Sequence, residues 1–375
     1  MEQQKGKKII FHIHNLNRGG AERVVVNLSE RFARDGYEVL IVTEEYAEFE
    51  YALPQHVGRI HAGIECKKEQ GMLSRMGNLQ KRRKKLREVL KKEQPDLVIA
   101  FGKSANYRAV PAAKGICPVL VSVRNDPKVD YSGKMNRIFC RKYLYRADGC
   151  VFQTEEAKAF FDPEFSKRSR IILNPINDKY LHIAGCKNRQ PVIVTAGRIA
   201  RQKNQAVLIQ AFAGIEKNFP KYRLLIYGAD SGDGTKEQLE QLVKECGLTQ
   251  KVVFCGNSDR LEEEIRDASL FVLSSDYEGM PNALMEAMAM GLPVISTDCP
   301  CGGPAMLIEN GVNGYLVPVR DPEAMAQAME RVLSDAEHAG QLGMEASKIG
   351  EKANSEVIYR QWKDYAEELI QNGVR

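Results

Sequence analysis

Apolar residues fall into short unbroken runs separated by polar stretches. The first half of the chain has such runs at residues 8–16, 38–43, 96–101, 118–123 and 148–154. The second half has them at residues 192–198, 223–228, 252–257 and 268–275. Runs this short, and apolar on successive rather than alternate positions, read as strands buried on both faces. Between them lie stretches with helical composition, at residues 23–35, 205–217, 261–267 and 283–290. Gly36 and Gly291 stand where a helix C-terminus favours glycine. Two further amphipathic stretches, residues 325–333 and 356–370, close the chain. Strands alternating with helices predict parallel sheets in an α/β fold. A length of 375 residues is long for one core and predicts two domains. Residues 176–190 are polar and irregular and form the expected linker.

Composition adds little to this picture. Hydrophobic residues make up 43% and charged residues 27%, as in an ordinary soluble globular protein. No apolar run reaches the length of a membrane span, and the polar start, residues 1–8, is not a signal peptide, so a cytoplasmic location is expected. The nine cysteines are scattered and read as small hydrophobes in a reducing compartment. Cys299 and Cys301 are close together, but no second pair or histidine accompanies them, so no metal site is expected. His12 and His14 share one strand face without a third ligand and read as packed side chains.

The net charge of +5 changes the picture more, because it is concentrated. The segment that begins at Lys67 and ends at Lys92 carries Lys81, Arg82, Arg83, Lys84, Lys85, Arg87 and Lys91. Its apolar positions, Met72, Met76, Leu79, Leu86, Val89 and Leu90, fit one helical face. Such a helix is either a solvated face or a surface for anionic lipid headgroups. Aromatic residues are not interleaved, so nucleic acid is not an expected partner.

Candidate chemistry centres on residues 276–291. Gly279 and Pro281 break the chain after the run at 268–275, and a helix follows. The loop therefore lies at the carboxyl end of a strand, where open α/β sheets bind ligands. Glu278 precedes the helix and Glu286 lies inside it. The free N–H groups of the helix start, near Asn282, Ala283 and Leu284, fall between the two carboxylates and suit a phosphate. An anion site flanked by hydroxyl-accepting carboxylates suits a nucleotide sugar. A carboxylate in a helix as apolar as 283–290 needs a partner. Arg198 follows a strand and Gly197, and Lys203 precedes the next helix; two cations so placed neutralise a diphosphate leaving group. Gly19 and Gly20 open the first helix but lack the full dinucleotide fingerprint. Gly102, Lys103 and Ser104 lack the glycine spacing of a P-loop. Arg124, Asn125 and Asp126 form a polar cluster at another strand end.

The motif from Glu278, Gly279, Met280, Pro281 and Asn282 to Glu286, with residues 291–297 and 311–317, resembles the C-terminal half of glycosyltransferase family 4. The likeness extends over essentially the whole chain, is strongest at residues 192–322, and looks closest to bacterial enzymes that extend lipid-linked oligosaccharides or capsular polysaccharide. It implies the GT-B fold: two Rossmann-like domains facing across a cleft, the last helix crossing back to the first domain. The expected domains are residues 1–180 with 356–373, which bind the acceptor, and residues 190–355, which bind the nucleotide sugar. Trp362 and Tyr365 are expected to pack on the first domain.

The resemblance also implies roles. Glu278 holds donor-sugar hydroxyls and, with Arg198 and Lys203, makes up the catalytic set. Gly19, Gly20, Gly197, Cys255, Gly279, Met280, Pro281, Asn282, Ala283, Leu284 and Glu286 bind the donor, with Glu286 on the ribose. Arg18, Arg124 and Asn125 face the acceptor. Many relatives carry a histidine near the donor sugar where this chain has Arg124. The implied reaction transfers a hexose or N-acetylhexosamine, with retention, from a nucleotide sugar (UDP-linked by family frequency) to a glycan or lipid-linked saccharide. No cofactor or metal is expected, and the inner face of the membrane is the expected peripheral location. The readings that compete are a nucleotide-sugar-binding subunit without turnover, a hydrolysing nucleotide-sugar epimerase, and a pyridoxal-phosphate phosphorylase of similar fold.

Overall fold

Parallel strands cannot be joined by tight turns, so each needs a crossover, here mostly helical. The computed structural model describes residues 6–17, 19–64, 72–181 and 189–373. It divides into two compact units, Met1–Leu173 with Ile358–Arg375, and Asn174–Val357. The first unit holds β1 (Lys8–His12), β2 (Glu38–Thr43), β3 (Val57–His61), β4 (Leu97–Phe101), β5 (Val119–Ser122), β6 (Gly149–Phe152) and β7 (Ser169–Ile171). These strands lie in the order β3-β2-β1-β4-β5-β6-β7, every pair parallel. The second unit holds β8 (Gln190–Ala196), β9 (Arg223–Tyr227), β10 (Val252–Gly256), β11 (Ala268–Leu273), β12 (Val294–Thr297) and β13 (Tyr315–Val317). Their order is β10-β9-β8-β11-β12-β13, again all parallel. Each sheet has one point where the strand order reverses, between β1 and β4 and between β8 and β11. Ligands of open α/β sheets bind there, outside the carboxyl ends of the strands. Among the described residues no helix is long and apolar enough to cross a membrane.

The first core is closed by the end of the chain. Helix Ser355–Asn372 puts Tyr359, Trp362, Tyr365 and Leu369 among Phe11, Phe32 and Phe101. Trp362 is fully buried and stacks on Phe101, with ring centroids 5.5 Å apart. Tyr365 donates its hydroxyl to the Arg168 carbonyl at 2.5 Å and accepts from the Cys150 amide at 3.1 Å. The packing expected of Trp362 and Tyr365 is therefore present.

Three features differ from the sequence pattern. Strand β3 went unseen because Gly58, Arg59 and His61 interrupt its apolar character, as suits a sheet edge. Strand β7, at the other edge of the first sheet, is a three-residue strand that the apolar runs do not include. Residues 174–181, expected in the first domain and linker, belong to the second unit: the Ile176 amide donates to the Ala353 carbonyl at 2.8 Å, and Ser355 Oγ donates to the Ile176 carbonyl at 2.8 Å. Most of the remaining linker, residues 182–188, lies outside the described residues, as does the start of the basic segment, residues 67–71.

The basic segment forms helix Met72–Glu93, with Leu86 and Leu90 buried. Several of its cations turn inward. Arg83 donates to the Pro111 carbonyl, and Arg87 to those of Ala112 and Lys114. Lys85 donates to the Gly63 carbonyl, and Arg82 pairs with Glu44 and Glu45. Glu44 is a buried hub. It also meets Arg108, His12 Nε2 at 3.5 Å and His14 Nδ1 at 3.2 Å. These partners hold its carboxyl far below the usual range against the opposing effect of burial. His12 is thus a packed side chain beside this carboxylate, whereas His14 meets it from the surface, with 43% of its side chain exposed.

Trp362→Ala should destabilise the first unit by about 3–5 kcal/mol, the usual cost of emptying a buried aromatic site. Chemical denaturation followed by far-ultraviolet circular dichroism measures this; an unchanged midpoint would contradict the closing role of the last helix.

Candidate functional site

The reversal between β8 and β11 places two loops side by side. Residues 197–204 follow β8, and residues 274–281 follow β11. Main-chain and side-chain bonds lace them together. The Asp276 amide donates to the Gln202 carbonyl at 2.8 Å, and Gln202 Nε2 donates to the Tyr277 carbonyl at 2.8 Å. Ser274 Oγ donates to the Lys203 carbonyl at 3.0 Å, and Asn204 Nδ2 to Asp276 Oδ1 at 2.8 Å. Asn204 sits in the left-handed region (φ 43°), which asparagine tolerates better than most residues. From there the chain enters helix Gln205–Ile215.

Lys203 and Glu278 form the centre. Their side chains meet at 2.5 Å, and Ser275 Oγ donates to the same Glu278 oxygen, Oε1, at 2.6 Å. Glu278 is buried and Lys203 partly so. Glu278 Oε2 has no hydrogen-bond partner among the described residues. The Glu278 amide donates to the Pro300 carbonyl at 2.9 Å, which fixes the loop from its other side. Burial, with the nearby Glu278 carboxylate, pushes the Cys299 thiol up to about 12, so it stays protonated. Arg198 is exposed and has no ion pair among the described residues. Its main chain is held, because Gln205 Nε2 donates to its carbonyl at 3.0 Å.

Two glycines let these loops close. A Cβ at Gly228 would overlap the Gly197 carbonyl, and one at Gly303 would overlap that of Gly279. Gly279, Met280 and Pro281 are buried and lead into helix Asn282–Ala289. No side chain caps that helix, so the first-turn N–H groups of Asn282, Ala283 and Leu284 are open to an anion. Asn282 Oδ1 instead accepts from Asn174 at 2.6 Å. Glu286 is buried inside the helix, at 5% exposure. Cys255 lies in β10 at an irregularity in its register with β9. Among the described residues no three His, Cys, Asp or Glu side chains group closely enough to hold a metal ion.

The structure thus brings Gly197, Arg198, Lys203, Glu278 and the 279–286 segment to one sheet edge. Sequence reasoning missed Gln202, Ser275 and Arg320. Arg320 donates to Asp276 Oδ2 at 2.7 Å, and nothing in its local pattern marks it. On the first unit, Gly19 caps helix Gly20–Arg34 in an extended conformation, and Arg18 lies outside the described residues. Arg124 has a setting other than an open phosphate contact. Its guanidinium lies 4.4 Å from the Phe101 ring centre and 5.4 Å from that of Trp362. Burial draws it down to about 9, which leaves it a cation at neutral pH. Its neighbour Asn125 lies near Asp130, whose carboxyl is pushed above the usual range by burial.

Comparison with known proteins bears on the family and the fold. The model described as Glycosyltransferase Family 4 matches residues 18–180, and that described as Glycosyl transferases group 1 matches residues 178–349. A GalNAc-alpha-(1->4)-GalNAc-alpha-(1->3)-diNAcBac-PP-undecaprenol alpha-1,4-N-acetyl-D-galactosaminyltransferase of Campylobacter jejuni is 27% identical over 88% of this chain and 89% of its own length. An uncharacterized glycosyltransferase of Methanocaldococcus jannaschii is 29% identical over 59% of this chain, a match that spans 60% of the relative. The structure of Anabaena HepE in complex with UDP and glucose superposes with a TM-score of 0.80 at 18% identity, covering 97% of this chain and all of that one. That likeness concerns the fold, which is GT-B.

Proposed function

The chain belongs to glycosyltransferase family 4, and on that premise we propose that it moves a hexose or N-acetylhexosamine from a nucleotide sugar, UDP-linked, to a saccharide or lipid-linked saccharide. The chain is an enzyme, a transferase. The product belongs to cell-surface polysaccharide or glycoconjugate synthesis. The observation that carries this reading is the pairing of Lys203 with Glu278 at the β8–β11 reversal, beside an uncapped helix start and the exposed Arg198.

Breaking the bond between the anomeric carbon and the phosphate oxygen leaves the electron pair on the diphosphate. Arg198, Lys203 and the N–H groups of Asn282 to Leu284 stabilise that charge. The acceptor oxygen then bonds to the anomeric carbon on the same face, with retention, and its proton passes to a leaving phosphate oxygen. Glu278 Oε2 accepts a hydrogen bond from a hydroxyl of the transferred sugar. Oε1, already taken by Lys203 and Ser275, keeps the carboxylate aimed. Glu286 takes the ribose hydroxyls. The protein supplies the positive charge, so no divalent metal takes part in the step.

A ligand that binds only the folded state raises its melting temperature. UDP and UDP-sugars should therefore shift the melting curve, and EDTA should leave the shift intact. No shift with UDP, GDP or ADP or their sugar conjugates would overturn the donor reading. A shift abolished by EDTA would overturn the metal-independent step. Arg198→Ala and Lys203→Ala should each lower turnover at saturating donor by about a hundredfold or more, typical for a preorganised charge contact. Near wild-type turnover would remove either residue from the catalytic set. Glu286→Ala should chiefly raise the donor KM; steady-state kinetics showing an unchanged donor KM with reduced kcat would reject the ribose contact.

A further inference from the structure

One carboxylate at the β8–β11 edge holds residues from two other loops. Asp276 Oδ1 accepts from Asn204 Nδ2 at 2.8 Å, and Asp276 Oδ2 accepts from Arg320 Nε at 3.1 Å and Nη2 at 2.7 Å. Asn204 ends the turn Arg201–Lys203 and leads into helix Gln205–Ile215. Arg320 lies between β13 and helix Pro322–Ser334, and β12 separates β13 from β11 in the sheet. Asp276 thus ties the loops after β8, β11 and β13 together. Both of its partners have unusual backbones. Among the described residues four non-glycine residues have positive φ, and two of the four are Asn204 (43°) and Arg320 (60°). The left-handed conformation is easy for glycine and costly for most residues with a Cβ. Asparagine tolerates it better than arginine does.

Stability does not explain the arginine. Its side chain is 72% exposed, and an ion pair that open to water stabilises little. Glycine would make the same turn without strain. A side chain kept in a sparsely populated backbone region against this balance points to function. The route to the site is short. Lys203 directly precedes Asn204, and its ammonium meets Glu278 at 2.5 Å. The Lys203 stem runs beside Gly197, where a Cβ would lie 3.3 Å from Lys203 Cε. The direction of that stem is set by the backbone at residues 203–204, which Asp276 pins through Asn204. We propose that Asp276 and Arg320 are positioning residues: the Asp276 carboxylate holds Asn204 and so aims the Lys203 ammonium at Glu278 and at the donor diphosphate, and Arg320 steadies Asp276 from the loop after β13. That the anion is a diphosphate rests on the donor reading; that Asp276 aims Lys203 does not.

The test is isothermal titration calorimetry of UDP into the full chain and its variants. Asp276→Ala should weaken UDP binding about tenfold and Arg320→Gly about threefold, within the range of couplings between residues in contact. Because Arg320→Gly relieves the strained turn, its melting temperature should not fall below that of the wild type. In a Lys203→Ala background neither substitution should weaken UDP binding further. Unchanged affinity in both single variants, an equal loss in the Lys203→Ala background, or a lowered melting temperature of Arg320→Gly would each overturn the proposal. Should Asp276→Ala unfold, Arg320→Gly, confined to an exposed side chain, carries the test. A second measurement needs no nucleotide. Lys203, turned toward Glu278, should be acetylated slowly by acetic anhydride, and peptide mass spectrometry should show that rate rising several-fold in both variants. If the wild type binds no UDP but the rate rises, the donor reading fails and the positioning role stands. A rate unchanged in both variants overturns the positioning role.

Discussion

A largely buried ion pair between Lys203 and Glu278 is the contact on which the rest of the second unit's sheet edge depends. Removing two charges from water costs several kcal/mol per ion, and apolar packing of the same volume is often as stable. The pair is therefore poorly explained as a stabilising device. It makes sense as stored polarity. Without a ligand the ammonium and the carboxylate satisfy each other. In the proposed reaction the diphosphate gives the ammonium an anion to meet, while Glu278 keeps an oxygen for hydroxyls. Deleting either partner leaves the other charged and uncompensated, so the two residues are coupled in stability as well as in chemistry.

The lacing around that pair follows from topology. In a parallel sheet the loops that leave adjacent strands at their carboxyl ends run to opposite faces where the strand order reverses, which opens a crevice there. Strands β8 and β11 meet there, so residues 197–204 and 274–281 are brought together although they are far apart in sequence. Five polar contacts then fix their relative position: Gln202 to Asp276 and Tyr277, Lys203 to Ser274 and Glu278, and Asn204 to Asp276. Glycines at 228 and 303 bring further backbone within reach. A loop held at this many points is preorganised, which is what electrostatic stabilisation of a leaving group requires.

How much of this was legible in the sequence depends on the range of the cause. The run at 268–273, the helix before Gly291 and the glycine-led loops are local, and they were read correctly because burial and φ preference act within a few residues. Lys203 and Glu278 were singled out one at a time; that they touch is a product of strand order, which no local pattern encodes. Strand β3 was missed because an edge strand need not be apolar. Arg124 shows the same limit from the other side. Its place after a strand suggested a phosphate contact, but its neighbours are set by a helix from the far end of the chain, which brings Trp362 over Phe101 and encloses the guanidinium.

The distribution of cations makes the same point for surfaces. Charge density along the sequence singles out residues 81–87, yet Arg83 and Arg87 are directed at the carbonyls of Pro111, Ala112 and Lys114. Those carbonyls close helix Lys103–Ala113, whose C-terminal end carries unpaired acceptors and the negative end of the helix dipole. A guanidinium there meets a structural need, and its charge is partly spent within the unit. Helix Lys134–Lys142 has fewer cations, but three of them face water without an internal anion, beside aliphatic side chains that the unit leaves uncovered. What a charged stretch can bind is set by the charge that folding leaves unpaired: among the described residues, Lys81, Lys84, Lys91 and Lys92 on the longer helix, and Lys134, Arg137 and Arg141 on the shorter one.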